Sequence, residues 1–321
     1  MTSKNRQAIG VIGQGFVGGT LAVGMCHVFD VYAYDKARSH VSAQGRGTIR
    51  EPAKKSIAGL IETCERDPNV DFTGVYFVCV PTPMFEDGEA DLRIVEGVLD
   101  ELADRAGERI AVVKSTVPPG STESWNEKYE DTGLTVVFNP EFLTEANALD
   151  DFLNQNRIIV GGPRPATNTV KQVFQAAYPK VPTIKTSSTC AEMVKYVINC
   201  FLATKVSFAN EIYDICQALD NHGLDIDYDK VIEYVKYDSR VGDSHWAVPG
   251  PCSVDGRYVR GFGGHCFPKD LNALMYLATA LEVNPTVLDA VWKKNLDVRP
   301  EEDRDWERMH NRAVSRKEKN K

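Results

Sequence analysis

The chain has 321 residues, 37 of them Lys or Arg and 45 Asp or Glu, for a formal charge of −8 at pH 7. Binding a polyanion calls for a basic footprint that neutralises phosphates, so nucleic acid is excluded as a first expectation for a partner. With 43% hydrophobic and 26% charged residues, the composition is that of one or two packed domains, not of a disordered or fibrous chain.

The first half alternates short apolar runs with amphipathic stretches. Residues 8–12, 31–34, 74–80, 109–114, 134–138 and 157–160 read as strands, and 56–66 and 93–106 as helices, the second with Ile94, Val98, Leu99 and Leu102 on one face. Such alternation predicts an α/β fold with a parallel, doubly wound sheet covered by crossover helices. Near Thr189 the texture changes to one helical pattern running to about Leu219, too long for a crossover, so a second, helical domain begins there. Residues 239–268 form a Gly- and Pro-rich loop, and 270–281 read as another helix. The tail from Glu301 holds six acidic and seven basic residues, with only Trp306, Met309, Ala313 and Val314 to bury, and reads as a solvated or frayed helix. The domains expected are therefore 1–188, 189–298 and a charged tail, 299–321.

Eight cysteines stand at 26, 64, 79, 190, 200, 216, 252 and 266 without a C-x-x-C pair or a His/Cys cluster at zinc spacing. This predicts reduced thiols of a cytoplasmic protein and no metal site. Cys26, Cys79, Cys200 and Cys216 have apolar neighbours and read as small buried hydrophobes. The uncharged stretch from Ala8 to His27 imitates a secretory signal, but glycines at 10, 13, 15, 18, 19 and 24 punctuate it. It fails as a membrane helix, and no membrane partner is expected.

Gly13-Gln14-Gly15-Phe16-Val17-Gly18 follows the first strand and opens a helix, and the second strand ends in Asp35, 20 residues beyond Gly15. In that context the glycines allow a tight turn, backbone approach to a pyrophosphate and close helix–strand packing, while Asp35 accepts from ribose hydroxyls. A carboxylate there favours NAD over a 2′-phosphorylated cofactor, although Lys36 stands next to it. Val80-Pro81-Thr82-Pro83 and Lys114-Ser115-Thr116-Val117 fall at later strand ends, the edge along which open α/β sheets bind ligands. Val80, Pro81, Thr82, Ser115 and Thr116 join the cofactor candidates.

In residues 261–270, GFGGHCFPKD, a glycine-rich turn presents Cys266 close to a helix start, where backbone amides and the helix dipole favour a thiolate nucleophile. His265 is either its base or a structural or substrate-facing residue. Lys195 and Asn199, four apart on the long helix, share a face and read either as an oxyanion clamp or as a snorkelling lysine beside a capped amide. In Asn139-Pro140-Glu141-Phe142-Leu143-Thr144-Glu145, two carboxylates flank an apolar pair just after a strand.

Through these six ordered motifs, from GQGFVG to GFGGHCFPKD, the sequence resembles the UDP-glucose/UDP-mannuronate dehydrogenases, and the UDP-glucose 6-dehydrogenase branch best, over about residues 8–298. The resemblance implies a Rossmann-type N-terminal domain, a helical central domain that forms a homodimer, and NAD as cofactor. It further implies two successive oxidations of a nucleotide-sugar C6 alcohol to the carboxylate, most simply UDP-glucose to UDP-glucuronate. By motif, Cys266 would form a thiohemiacetal and then a thioester. Lys195 and Asn199 would stabilise the oxyanions, Asp270 and Thr116 would position water, and Glu145 would act as general base and touch the cofactor. Glu141, Phe142, Leu143, Gly263 and Phe267 would line the substrate cleft, with Arg240 reaching it from across the dimer. Residues 287–294 would join the long helix in the dimer core.

The chain departs from the family at Ser239, where proline is usual, at Ala146 and Asn147, where glycine is common, and in residues 244–260, a longer loop containing a His-Trp-x-x-Pro-Gly segment at 245–250. The family also continues into a second α/β domain that contacts the nucleotide, whereas this sequence stops at Lys321, as a compact variant or a truncated chain would. A catalytically silent or partner-dependent cofactor-binding subunit and a hydroxyacid or 6-phosphogluconate-type dehydrogenase are the competing readings.

Overall fold

The structure, a computed structural model, describes residues 6–37, 49–144, 147–251 and 257–315. The chain divides into two compact units, Met1–Thr82 with Leu92–Lys195, and Pro83–Asp91 with Tyr196–Lys321.

In the first unit the elements run β1 (Gln7–Ile12), α1 (Phe16–Met25), β2 (Asp30–Tyr34), β3 (Ile49–Arg50), α2 (Ile57–Arg66), β4 (Asp71–Val78), α3 (Arg93–Ala103), β5 (Arg109–Val113), α4 (Ser121–Lys128), β6 (Leu134–Phe138), α5 (Ala148–Leu153), β7 (Ile158–Gly161), α6 (Ala166–Ala177) and β8 (Thr183–Thr186). The strands form one sheet in the order β3-β2-β1-β4-β5-β6-β7-β8. All neighbours pair in parallel except β6 and β7, which meet antiparallel at Phe138 and Gly161. The order reverses beside β1, which puts a ligand-binding crevice at the carboxyl ends of β1 and β4.

Helices cover both faces, so the central strands are apolar along their length and do not alternate. On β4, Tyr76 and Val78 pack with Leu99 and Trp125, while Val75 and Phe77 pack on the other face with Leu21 and Phe174. The α/β sheet and its six expected strands are thus present. β4 begins three residues earlier than the pattern predicts, because Gly74 (φ +77°) and a bulge against β1 break the apolar run without ending the strand. Ser56 caps α2 by accepting from the Gly59 amide at 2.9 Å. On α3 the buried set is Val95, Val98, Leu99 and Leu102, with Ile94 exposed. This corrects the expected face by one residue, since 95, 98, 99 and 102 keep the i, i+3, i+4, i+7 spacing and 94 does not.

A single helix, α7 (Ser188–Asn221), leads into the second unit, followed by α8 (Tyr228–Val235), the antiparallel pair β9 (Gly250–Pro251) and β10 (Tyr258–Val259), α9 (Phe267–Ala280) and α10 (Thr286–Val298). Residues 301–315 are not the solvated or frayed helix that their charge suggests. After two short 3₁₀ turns they dock: Trp306 is 2% exposed against Trp292, Ala313 is fully buried, and Met84 bonds to Ala313 and Ser315 through the backbone at 2.9 and 2.8 Å. A few apolar side chains suffice because partners distant in sequence receive them.

The seven described cysteines are free thiols, with Cys26, Cys79, Cys200 and Cys216 buried. Among the described residues, no helix is long and apolar enough to cross a membrane, and no group of His, Cys, Asp and Glu could hold a metal ion.

Candidate active site

The chain turns out of β1 at Gly13, where φ is +87° and glycine is favoured. A Cβ there would lie 2.6 Å from the Cys79 carbonyl oxygen, and one on Gly18 would overlap the Gly13 carbonyl, so both are packing positions. Gly15 differs, since no atom lies within 4 Å of the place its Cβ would take. It is the N-cap of α1 and no side chain caps that end, so the positive end of the helix dipole faces the turn, a place suited to an anion. Phe16 is exposed and Val17 half-buried beside this opening. Asp35 accepts from the Gln14 amide at 2.6 Å and the Ala37 amide at 2.8 Å, which fixes its carboxylate beside the turn. Lys36 is exposed. An open glycine cradle, an uncapped helix start and a fixed carboxylate fit a dinucleotide.

The loops after β4 and β5 lie side by side. The Ser115 hydroxyl donates to the Val80 carbonyl at 2.6 Å, and the Thr82 hydroxyl donates to the Thr116 carbonyl at 2.8 Å. These hydroxyl protons stitch the two loops together and are spent on protein carbonyls. Thr116 is half-buried and Pro81 exposed.

Beyond them stands a charged cluster that the sequence shows only in part. Lys195 is 4% exposed, and its Nζ donates to the Glu141 carbonyl at 2.7 Å and to Glu141 Oε1 at 3.1 Å, while Oε2 accepts from the Leu143 amide at 2.7 Å. Lys195 is therefore neither snorkelling nor loose. Lys114 is also buried and donates to Asn139 Oδ1 at 2.8 Å, and Asn139 in turn donates to the Ile159 carbonyl at 2.6 Å. Burial pushes the Lys114 ammonium down to about 8 against the attraction of Glu141, with Lys195 lowering it further. Burial would raise the Glu141 carboxyl, but Lys195, the Leu143 amide and Lys114 outweigh it and hold it below the ordinary value. Phe142 takes the Arg157 guanidinium on its ring at 4.2 Å. A cavity of about 280 Å³ opens here, lined by Lys114, Glu141, Phe142, Leu143 and Arg157 among others. Glu145 lies outside the described residues.

Sequence reasoning missed Lys114, and it missed Glu192, which is fully buried on α7 and accepts from the Gly120 amide, the Thr122 amide and the Thr122 hydroxyl at 2.6–2.9 Å, capping α4. The S-T-x-P-P-G-S-T run carries the capped end, but the carboxylate comes from 70 residues away.

In the second unit, Cys266 is half-buried and is the N-cap of α9, which starts three residues earlier than its periodicity indicates. One turn on, Asp270 is 1% exposed and accepts from Asn199 Nδ2 and from Lys269 Nζ, both at 2.5 Å. Asn199 thus spends a donor on holding this carboxylate. Phe267 flanks the cysteine, with the ring of His245 at 5.7 Å and in a left-handed backbone conformation (φ +69°). Gly263 lies in the turn before Cys266. Arg240 has a side chain 87% exposed and pairs with Asp238.

Sheet and cradle define a dinucleotide-binding α/β protein with a helical second unit that carries Cys266 at a helix start. Residues 7–179 match the NAD binding domain, and residues 189–297 the central domain, of the UDP-glucose/GDP-mannose dehydrogenase family, and the chain belongs to that family. It is 32% identical to the UDP-glucose 6-dehydrogenase AglM of Haloferax volcanii, covering 91% of this chain and 70% of that one. It is also 32% identical to the UDP-glucose 6-dehydrogenase TuaD of Bacillus subtilis, covering 89% and 62%. A UDP-glucose dehydrogenase structure from Pyrobaculum islandicum superposes with a TM-score of 0.71 at 31% identity, over 92% of this chain and 69% of that one. The chain spans 62–70% of the length of these relatives.

Proposed function

We propose that the chain oxidises the C6 alcohol of a nucleotide sugar to the carboxylate in two NAD-dependent steps, with UDP-glucose the favoured substrate and UDP-glucuronate its product. The observation that carries this reading is the half-buried Cys266 at the start of α9, one turn from a buried Asp270 pinned by Asn199 and Lys269. A hydroxyacid dehydrogenase has no use for that thiol.

NAD supplies the hydride acceptor for both oxidations. Lys195, ion-paired with Glu141, stabilises the alkoxide as the C6 hydroxyl passes its proton to a solvent water, and loss of hydride from C6 then leaves the aldehyde. The Cys266 thiolate then bonds to the aldehyde carbon, whose oxygen becomes the oxyanion of a thiohemiacetal, and loss of hydride from that carbon leaves a thioester. Covalent capture splits a difficult oxidation into manageable steps. Water adds to the thioester carbon, Glu145 takes its proton, and the C–S bond breaks to return the thiolate and release the carboxylate. Asp270 keeps a lone pair on each oxygen to orient that water, with Thr116 as second contact.

A homodimer belongs to the same proposal. Met193, Val197, Phe201, Phe208 and Ile215 are exposed on α7 and fall within about 80° of one another around the helix. An apolar stripe of that length asks for a partner, and in a dimer Arg240 would complete the neighbour's substrate site.

The test is NADH formation at 340 nm with NAD and millimolar UDP-glucose, UDP-N-acetyl sugars or GDP-mannose. Two NADH per sugar with one donor, abolished in Cys266→Ser, is expected. Absence of turnover with every donor, despite NAD binding, would overturn the reading.

A further inference from the structure

The turn that carries Cys266 is held from behind by Asn295 of α10 and by residues that follow the family's central domain, whose match ends at 297. The Phe262 amide donates to Asn295 Oδ1 at 2.7 Å, and Asn295 Nδ2 returns a bond to the Phe262 carbonyl at 3.1 Å. Two residues on, the Gly264 amide donates to both carboxylate oxygens of Asp305, at 3.2 and 3.1 Å. Arg299 donates to the same carboxylate at 3.1 Å, to the Asp303 carbonyl at 2.8 Å and to the Arg260 carbonyl at 3.3 Å. Both members of this ion pair are buried, with side chains 2% and 6% exposed. The fit is tight enough to dictate sequence. Gly261 and Gly264 adopt φ +69° and +72°, and a Cβ on Gly263 would run into Asp305 and Arg299.

A buried ion pair is a costly way to gain stability alone, since desolvation cancels much of the attraction. What this one does is give an amide two residues from the nucleophile a fixed charged acceptor, while Arg299 ties that acceptor to the Arg260 carbonyl at the start of the turn. Trp306, next in sequence, anchors the arrangement from the docked segment, with the Arg299 guanidinium 5.6 Å from the centre of its ring.

We propose that residues 299–306 are a working part of the thiol site, with Asp305 a positioning residue that fixes the 261–264 turn, and through it the Cys266 sulfur at the start of α9, by way of the Gly264 amide and the Arg299 guanidinium. This rests on the reading of Cys266 as the nucleophile. Asp305 touches no reacting atom. It sets the place from which the sulfur attacks, and a misplacement of about 1 Å in such a step can cost about a hundredfold in rate.

The decisive variant is Arg299→Met combined with Asp305→Leu, which removes both charges at once and leaves neither stranded. The folded protein is expected to bind NAD unchanged and to keep KM for the sugar within about threefold, while kcat falls at least about tenfold. Its Cys266, followed by peptide mass spectrometry, is expected to react with iodoacetamide at pH 7 about fivefold more slowly, because the sulfur leaves the amide-lined helix start. Unchanged kcat and alkylation rate in the folded double variant would overturn the proposal.

Should that variant fail to fold, Asp305→Asn, which keeps an acceptor for Gly264, is expected to retain more of the alkylation rate than Asp305→Ala, and equal losses would count against the clamp. In the unsubstituted protein the Gly264 amide is expected to exchange at least about a hundredfold more slowly than a free loop, and unprotected exchange would refute it without any variant. A chain that forms no NADH defeats the functional reading, whereas alkylation and exchange still decide this one.

Discussion

Lys114 is a residue whose environment costs stability at neutral pH and whose charge shapes the site. Its ammonium is buried at the end of β5, and burial brings it from 10.5 down to about 8. Between those values the unfolded chain binds a proton that the folded chain does not, so stability rises with pH across this window and is lost again as pH falls through about 8. A gap of that size corresponds to about 3 kcal/mol. Denaturant unfolding of the wild type and of Lys114→Met at several pH values from 7.5 to 10 should show the wild type gaining up to that amount relative to the variant. Parallel curves would show that Lys114 stays charged throughout. Cys266 was legible in the sequence because glycines and charges around a cysteine have few structural explanations. Lys114 was not, because it stands beside hydroxyl and proline residues that read as a turn, and its partners Asn139 and Glu141 reach it only through the β5–β6 pairing.

At the scale of the element, the two halves of the glycine turn ask different things of a methyl group. Gly15 has an extended backbone (φ −70°, ψ −158°) and open space at its Cβ position, so Gly15→Ala should fold normally. It should still weaken NAD binding by tenfold or more, about 1.4 kcal/mol, because the methyl occupies the approach to the pyrophosphate. Gly18→Ala drives the methyl into the Gly13 carbonyl and Cys79 and should cost about 1–3 kcal/mol of stability. Thermal unfolding and NAD titration of both variants separate the roles, and two variants with the same profile would merge them. The sheet was legible because strands covered on both faces leave continuous apolar runs. The docked segment after residue 300 was not, because what buries Trp306 comes from α10 and residue 84, and what pairs Asp305 is Arg299, just past the end of α10. Charge density there reports solvent exposure only when opposite charges fail to meet.

At the scale of the whole molecule, the exposed stripe on α7 carries the remaining prediction. A 34-residue helix would ordinarily be covered along most of its length, yet Val197, Phe201, Phe208 and Ile215 face outward, with Glu211 the charged residue on the same arc. Aromatic residues at the centre of an interface commonly contribute 2 kcal/mol or more each. Phe201→Glu with Phe208→Glu should therefore weaken self-association by about a thousandfold, that is, about 4 kcal/mol. Sedimentation velocity at micromolar concentration should show a dimer for the wild type and a monomer for the double variant, with the fold of each intact by circular dichroism. If Arg240 serves the neighbouring copy, the monomer should also lose sugar oxidation while still binding NAD, because the dinucleotide cradle lies wholly within the sheet of one chain. Arg240→Ala should reproduce that loss without dissociating the dimer. A monomeric variant with full turnover would assign Arg240 and the stripe to separate tasks.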